Sequence, residues 1–120
     1  MNLLALRGAI TLAANTRDEV DEKTQRLVKE LLARNDVTHD DIVSIIFTAT
    51  GDITAQFPAT AARALGLGDV PLICAQELSI EGGMPLCVRV LVHFYSERSR
   101  SELHHVYLEG ARGLRDDLPE

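Results

Sequence analysis

Three charged residues stand alone in apolar stretches of this 120-residue chain, and their types and placement are the ones that could do chemistry. Arg7 is the only charge from Met1 to Thr16, Glu77 the only one from Val70 to Ile80, and Arg89 the only formal charge from Gly82 to Ser96. Removing such a group from water costs on the order of several kcal/mol unless it is paired. Either Glu77 neutralises one arginine as an internal ion pair, or the three charges line a ligand site. Two isolated arginines against one glutamate leave a positive excess, which an anionic ligand would neutralise. A carboxylate suits best, because a guanidinium fork binds it bidentately and stays charged at any relevant pH, whereas lysine offers a point charge. Ten of the twelve basic residues are arginine.

The stretches that carry these charges read as strands. Leu3 to Thr11 is short and apolar on both faces, as in a buried strand. Thr16 precedes an amphipathic helical run with Val20, Thr24, Leu27, Val28, Leu31 and Leu32, and Glu19 stands where a capping box wants its acid. That helix is predicted to end near Asn35. Ile42 to Thr50 is a second β-branched strand, stopped by Gly51-Asp52. Phe57 to Leu65 reads as a short helix closed by Gly66. Val70 to Gln76 is a third strand, Gly82-Gly83 with Pro85 a connection, and Cys87 to Tyr95 a fourth strand. A helical turn at Ser99 to His104 and a short extended piece at Val106 to Leu108 complete the chain, with a polar, mobile tail expected from about residue 115.

The order β-α-β-α-β-β implies an α+β fold, a mixed sheet with helices on one face, in a single domain spanning residues 1–120. Strands this apolar on both faces cannot leave one in water, so the second face is expected to be buried by self-association.

Hydrophobic residues make up 46% of the chain and charged ones 25%, an ordinary globular balance. The net charge of -6, without a Lys/Arg-rich stripe, argues against nucleic acid as partner. The sequence has no apolar run of the roughly 20 residues a membrane span needs and no basic leader with a cleavage site, so the cytosol is the expected location. Cys74 and Cys87 lack CxxC spacing and clustered histidines, which indicates reduced thiols and no zinc site. Gly82-Gly83 lacks the strand, loop and helix context of a phosphate cradle.

Several blocks, taken together and in order from residue 7 to 118, resemble the small monofunctional chorismate mutases of the Bacillus type. They are Arg7-Gly8-Ala9-Ile10-Thr11, Phe57-Pro58-Ala59 with Arg63, and Val70-Pro71 leading to Cys74 and Gln76-Glu77. Gly82-Gly83 before Cys87-Val88-Arg89-Val90 and His105-Val106-Tyr107-Leu108-Glu109 before Leu114-Arg115 complete the set. The resemblance implies a homotrimer forming a pseudo-α/β-barrel, with active sites at the subunit interfaces and no cofactor or metal. It also implies the [3,3]-sigmatropic rearrangement of chorismate to prephenate in aromatic amino acid biosynthesis, which needs neither a nucleophile nor a proton shuttle.

Catalysis of that reaction rests on holding the substrate in its folded shape and on fixed charges where the transition state is polar. By resemblance, Arg89 donates to the ether oxygen and a carboxylate, and Arg7 and Tyr107 hold the side-chain carboxylate. Glu77 accepts from the ring hydroxyl with Cys74 nearby. Phe57, Ala59, Ile73 and Leu114 wall the site, and Arg63 and Arg115 serve the ring carboxylate at its mouth. Strict strand alternation, however, puts Cys74 on the opposite face from Glu77. Thr60 stands where the family pattern often has lysine, and Asp116 where proline commonly follows the arginine. His104 and His105 read as structural, because the reaction moves no proton. Two other readings compete: a non-catalytic trimeric binding module for a small dicarboxylate, and an imine deaminase on a related trimeric fold, which would leave the joint Arg7, Glu77 and Arg89 pattern unexplained.

Overall fold

The computed structural model describes residues 1–114. Five strands and two helices follow one another as β1 (Asn2–Thr11), α1 (Arg17–Arg34), β2 (Ile42–Ala49), α2 (Pro58–Ala62), β3 (Leu72–Gln76), β4 (Cys87–Ser96) and β5 (Val106–Leu108). The short extended piece at the end of the chain is thus a full sheet member. The strands form one mixed sheet in the order β3-β2-β4-β1-β5. β4 runs antiparallel to both β1 and β2, while the outer pairs β2/β3 and β1/β5 are parallel.

Alternation along the strands divides the sheet into two faces. Leu6, Ile10, Ile45, Phe47, Val88, Val90, Val92 and Phe94 point to the helix side and are fully or almost fully buried. Against them α1 lays Val20, Thr24, Leu27, Val28 and Leu31, all buried. Each such large side chain contributes about 1.5–3 kcal/mol when removed from water. The other face carries Leu3, Arg7, Ile46, Thr48, Ile73, Arg89, Leu91, His93 and Tyr95. The 3-10 turn Glu109–Gly113 packs Ala111 over Ala9, Cys87 and Tyr107 at one end of it, and among the described residues no helix covers the rest. Leu3 is 56% exposed and Ile73 61%.

The start of α1 corrects one expectation. Thr16 does cap the helix, its Oγ accepting from the Glu19 N–H at 3.1 Å. The Glu19 carboxylate does not close a capping box on Thr16. It reaches further back, to the Ala13 N–H at 2.7 Å, because Thr16 N–H already donates to Ala14 O. At the other end Asn35, itself buried, donates to Leu31 O and His104 O at 2.8 Å and accepts from the His104 N–H at 2.7 Å. This clamp ties the end of α1 to the segment that leads into β5. α2 runs on into a wider turn, Arg63–Leu67, where Gly66 takes φ 89°.

A second clamp joins the end of β2 to the start of β4. The Thr50 hydroxyl donates to Asp52 Oδ1 and accepts from the Cys87 N–H, while Asp52 Oδ2 accepts from Leu86 N–H at 3.0 Å. Leu86 there adopts φ 49°, a conformation side chains avoid. The Thr50 hydroxyl holds the Asp52 carboxyl below its ordinary range; slight burial opposes this, and the Leu86 N–H adds to it. A carboxyl depressed in the folded state stabilises the fold above its unfolded value, about 3.9, and loses that contribution as pH falls through the folded value. Thermal unfolding of the wild type and Asp52→Asn should therefore show a wild-type advantage at neutral pH that shrinks only below about pH 4. An advantage that does not change between neutral and strongly acid pH would show that the charge of Asp52 plays no part.

Candidate active site

Register brings the solitary charges together. Thr48 on β2 lies opposite Arg89 on β4, Arg89 opposite Ala9 on β1, and Ala9 opposite Tyr107 on β5. These four residues make one row across the face opposite the helices. Three strand intervals separate Thr48 from Tyr107, and two separate Arg89 from Tyr107, roughly 10 Å. Ala9, the small member of the row, is fully buried, packed with Cys87, Tyr107 and Ala111. Arg7 stands two residues along β1 from Ala9, on the same face. Glu77 follows the last residue of β3, its N–H donating to Ala49 O at 2.9 Å, and its side chain reaches inward over β2.

These residues line a concavity of about 270 Å³ that holds Arg7, Gly8, Ile46, Thr48, Glu77, Arg89, Val90, Leu91 and Tyr107. Of the eleven residues expected at a site, Arg7, Glu77, Arg89 and Tyr107 meet here. Ile46 and Thr48 were not expected. Their β-branched types read as ordinary strand, and only the pairing of β2 with β4 reveals that they flank Arg89.

Glu77 Oε2 accepts a hydrogen bond from the Thr48 hydroxyl and lies 3.4 Å from Arg89 Nε. The second contact is an ion pair without hydrogen-bond geometry, since Arg89 Nε is shielded from solvent and has no acceptor. With 42% of the Arg89 side chain and 26% of that of Glu77 exposed, water screens this pair and it adds little to stability. The Arg7 guanidinium has neither ion-pair nor hydrogen-bond partner among the described residues. Its backbone N–H donates to His105 Nδ1 at 3.0 Å, a structural role for that histidine. One glutamate thus faces two guanidinium groups, and one positive charge is left over in the concavity. Cys87, buried beside them, is an inert neutral thiol: burial pushes its pKa up, and the nearby Arg89 only partly offsets this.

The remaining expected residues gather elsewhere. Phe57, Ala59, Thr60, Arg63, Leu72, Ile73 and Cys74 line a second concavity of about 530 Å³ beside edge strand β3. None of them lines the first. Cys74 is paired with Phe47, a helix-side residue, and its Sγ accepts from the Ala59 N–H at 3.4 Å. It therefore sits on the opposite face from Glu77, as alternation requires, and within one chain it does not share that residue's concavity. Arg63 Nη1 is 3.4 Å from the Thr60 hydroxyl. Phe57 is 69% exposed, an apolar ring standing in solvent. A larger hollow, about 640 Å³, adjoins this second one at the loop from Ala49 to Pro58 but contains none of the three solitary charges. Leu114 packs against Ala9, Cys87, Tyr107 and Ala111, at the end of the face that carries the first concavity. Arg115 and Asp116 lie outside the described residues. Among the described residues no group of three or more His, Cys, Asp and Glu could hold a metal ion, and no helix is long and apolar enough to cross a membrane.

Known proteins share both the sequence and this architecture. Residues 3–118 match the family model described as chorismate mutase type I. Chorismate mutase AroH of Bacillus subtilis is 36% identical over 119 residues, covering 98% of this chain and 94% of that protein. Its counterpart from Thermus thermophilus is 37% identical over 114 residues, 94% of this chain and 93% of that one. A chorismate mutase structure from Clostridium thermocellum superposes with a TM-score of 0.89 at 43% identity, covering 91% of this chain and 97% of that one. The match extends over the whole described fold, from the strand bearing Arg7 to the one bearing Tyr107, and the chain belongs to the chorismate mutase type I family.

Proposed function

We propose that this chain, as a chorismate mutase, rearranges chorismate to prephenate in the concavity that holds Arg7, Glu77, Arg89 and Tyr107, with no covalent intermediate. One observation carries the assignment of the site: a glutamate and two guanidinium groups, one of them without a partner among the described residues, in one hollow of about 270 Å³. In the rearrangement the ether C–O bond breaks ahead of C–C bond formation, so negative charge grows on the ether oxygen and positive charge on the ring. Arg89 donates to that oxygen, and Glu77 faces the ring and accepts from its hydroxyl. Arg7 and Tyr107 hold the side-chain carboxylate and fix the folded conformer. The acceleration comes from charges already in place before the bonds change.

We propose further that the site is completed by a neighbouring copy in a homotrimer. Two features support this: among the described residues most of the sheet face bearing the charges lacks a cover of its own, and the residues expected at one site fall into two separate concavities on one chain. In the trimer, Phe57, Ala59, Arg63, Ile73 and Cys74 of one copy would face Arg7, Glu77 and Arg89 of the next. Arg63 and Arg115 would then attend the ring carboxylate at the mouth, with Leu114 walling the site.

Loss of chorismate absorbance on addition of the purified protein tests the reaction directly; a rate equal to that in buffer would leave only the non-catalytic binding reading. In the same assay Arg63→Ala should lower kcat/KM about tenfold while keeping most of kcat, because a contact at the mouth binds ground state and transition state alike. A collapse of kcat in this variant would put Arg63 at the reacting atoms.

A further inference from the structure

Resting on that reading of the site, we propose that Thr48 is a positioning residue: its hydroxyl holds the Glu77 carboxylate at the angle that keeps Arg89 available to substrate. Glu77 reaches the concavity from beyond the end of β3, at the rim of the sheet, and a flexible side chain arriving from there would be expected to close on the nearest guanidinium. Arg89 is that guanidinium, and carboxylate and guanidinium favour the parallel two-bond fork. The observed geometry is different. Glu77 Oε2 is taken by the Thr48 hydroxyl, and its approach to Arg89 stops at 3.4 Å from Nε, without a hydrogen bond.

The position of Thr48 explains how. It lies between Ala75 of β3 and Arg89 of β4 in the register, directly beneath the path of the Glu77 side chain. Its hydroxyl can donate one hydrogen bond, and it spends that bond on Oε2. Oε1 is left to accept from a substrate hydroxyl, and the outer edge of Arg89 is left to donate to an oxygen on which charge develops. Without the hydroxyl, Glu77 would swing onto Arg89 and each group would quench the other. Substrate would then have to break a formed ion pair before the transition state could use either charge.

The test uses the whole protein and three substitutions at this position. Thr48→Val keeps the shape and suits a strand. It should lower kcat about ten- to hundredfold, the worth of a hydrogen bond to a charged group, with KM changed severalfold at most. Thr48→Ser, which restores the donor, should recover most of kcat, and Thr48→Ala repeats the valine result in case that variant folds poorly. The Glu77→Gln background adds the reading a merely structural role would not give: there Thr48→Val should cost little more, because the carboxylate it positions is gone. Wild-type kcat in the valine and alanine variants would overturn the inference. So would a loss that serine does not rescue, or one that adds in full to that of Glu77→Gln. An inactive wild-type protein would instead count against the assigned reaction, and the two failures are therefore distinguishable.

Discussion

Arg89→Ala should lower kcat by a hundredfold or more while KM rises only modestly. Removing a preorganised donor to a developing oxyanion commonly costs about a hundred- to a thousandfold in kcat. Arg89 stands on a central strand of the sheet, its backbone flanked by Thr48 on one side and Ala9 on the other. Its pairing with Glu77 is loose enough to be exchanged for substrate. The interaction strengthens as the ether bond breaks, and the loss should consequently fall on the chemical step. Steady-state kinetics with chorismate checks this, and an equal fall in kcat/KM with kcat intact would show that Arg89 only binds. Arg89→Lys should recover little, because a point charge cannot span an ether oxygen and a carboxylate together.

Gly8→Val should destabilise the fold by about 1–3 kcal/mol, the range for overpacking a tight site, and should abolish most activity with it. A Cβ at Gly8 would lie 2.9 Å from the Val106 carbonyl, 3.1 Å from Leu27 Cδ1 and 3.3 Å from Val90 Cγ1. The first of these atoms is backbone and cannot rotate away. The strain must part β1 from β5, and Tyr107 is carried on β5 while Arg7 is the residue next to Gly8. Thermal unfolding followed by circular dichroism measures the loss, and an unchanged melting temperature would mean that β5 accommodates the group without leaving its register.

Much of this architecture can be read from the residues alone, for reasons that differ from element to element. β1 and β4 are legible because each is a long apolar run with one charge in it. α1 is legible because its apolar residues recur at helical spacing after a capping threonine. The charges Arg7, Glu77 and Arg89 stand out for the same reason, since an isolated charge in an apolar strand must have a purpose or a partner. What escapes the sequence is which strand lies beside which. Thr48 is a β-branched residue in a β-branched strand, and it gains significance only once β2 is known to lie against β4. The place of β5 is equally hidden, because three residues carry too little pattern to reveal that they pair parallel with a strand about a hundred positions earlier. The division of the expected site into two concavities is a matter of register and alternation, which family blocks spaced along a chain do not display.

The parallel union of β1 with β5 also bears on how the molecule is made. β1 leaves the ribosome about a hundred residues ahead of β5, so the row that ends at Tyr107 cannot close until Val106 to Leu108 have been made. Contacts so distant in sequence slow folding, because the loop between them must be ordered before they contribute. Until then β1 is the rim of the sheet, with the backbone groups of Gly8 to Ile10 that will meet Val106 to Leu108 still open. An unpaired rim of this kind is a template for other chains. A chain cut short before Val106 should be recovered as aggregate, and not as a weakly active monomer.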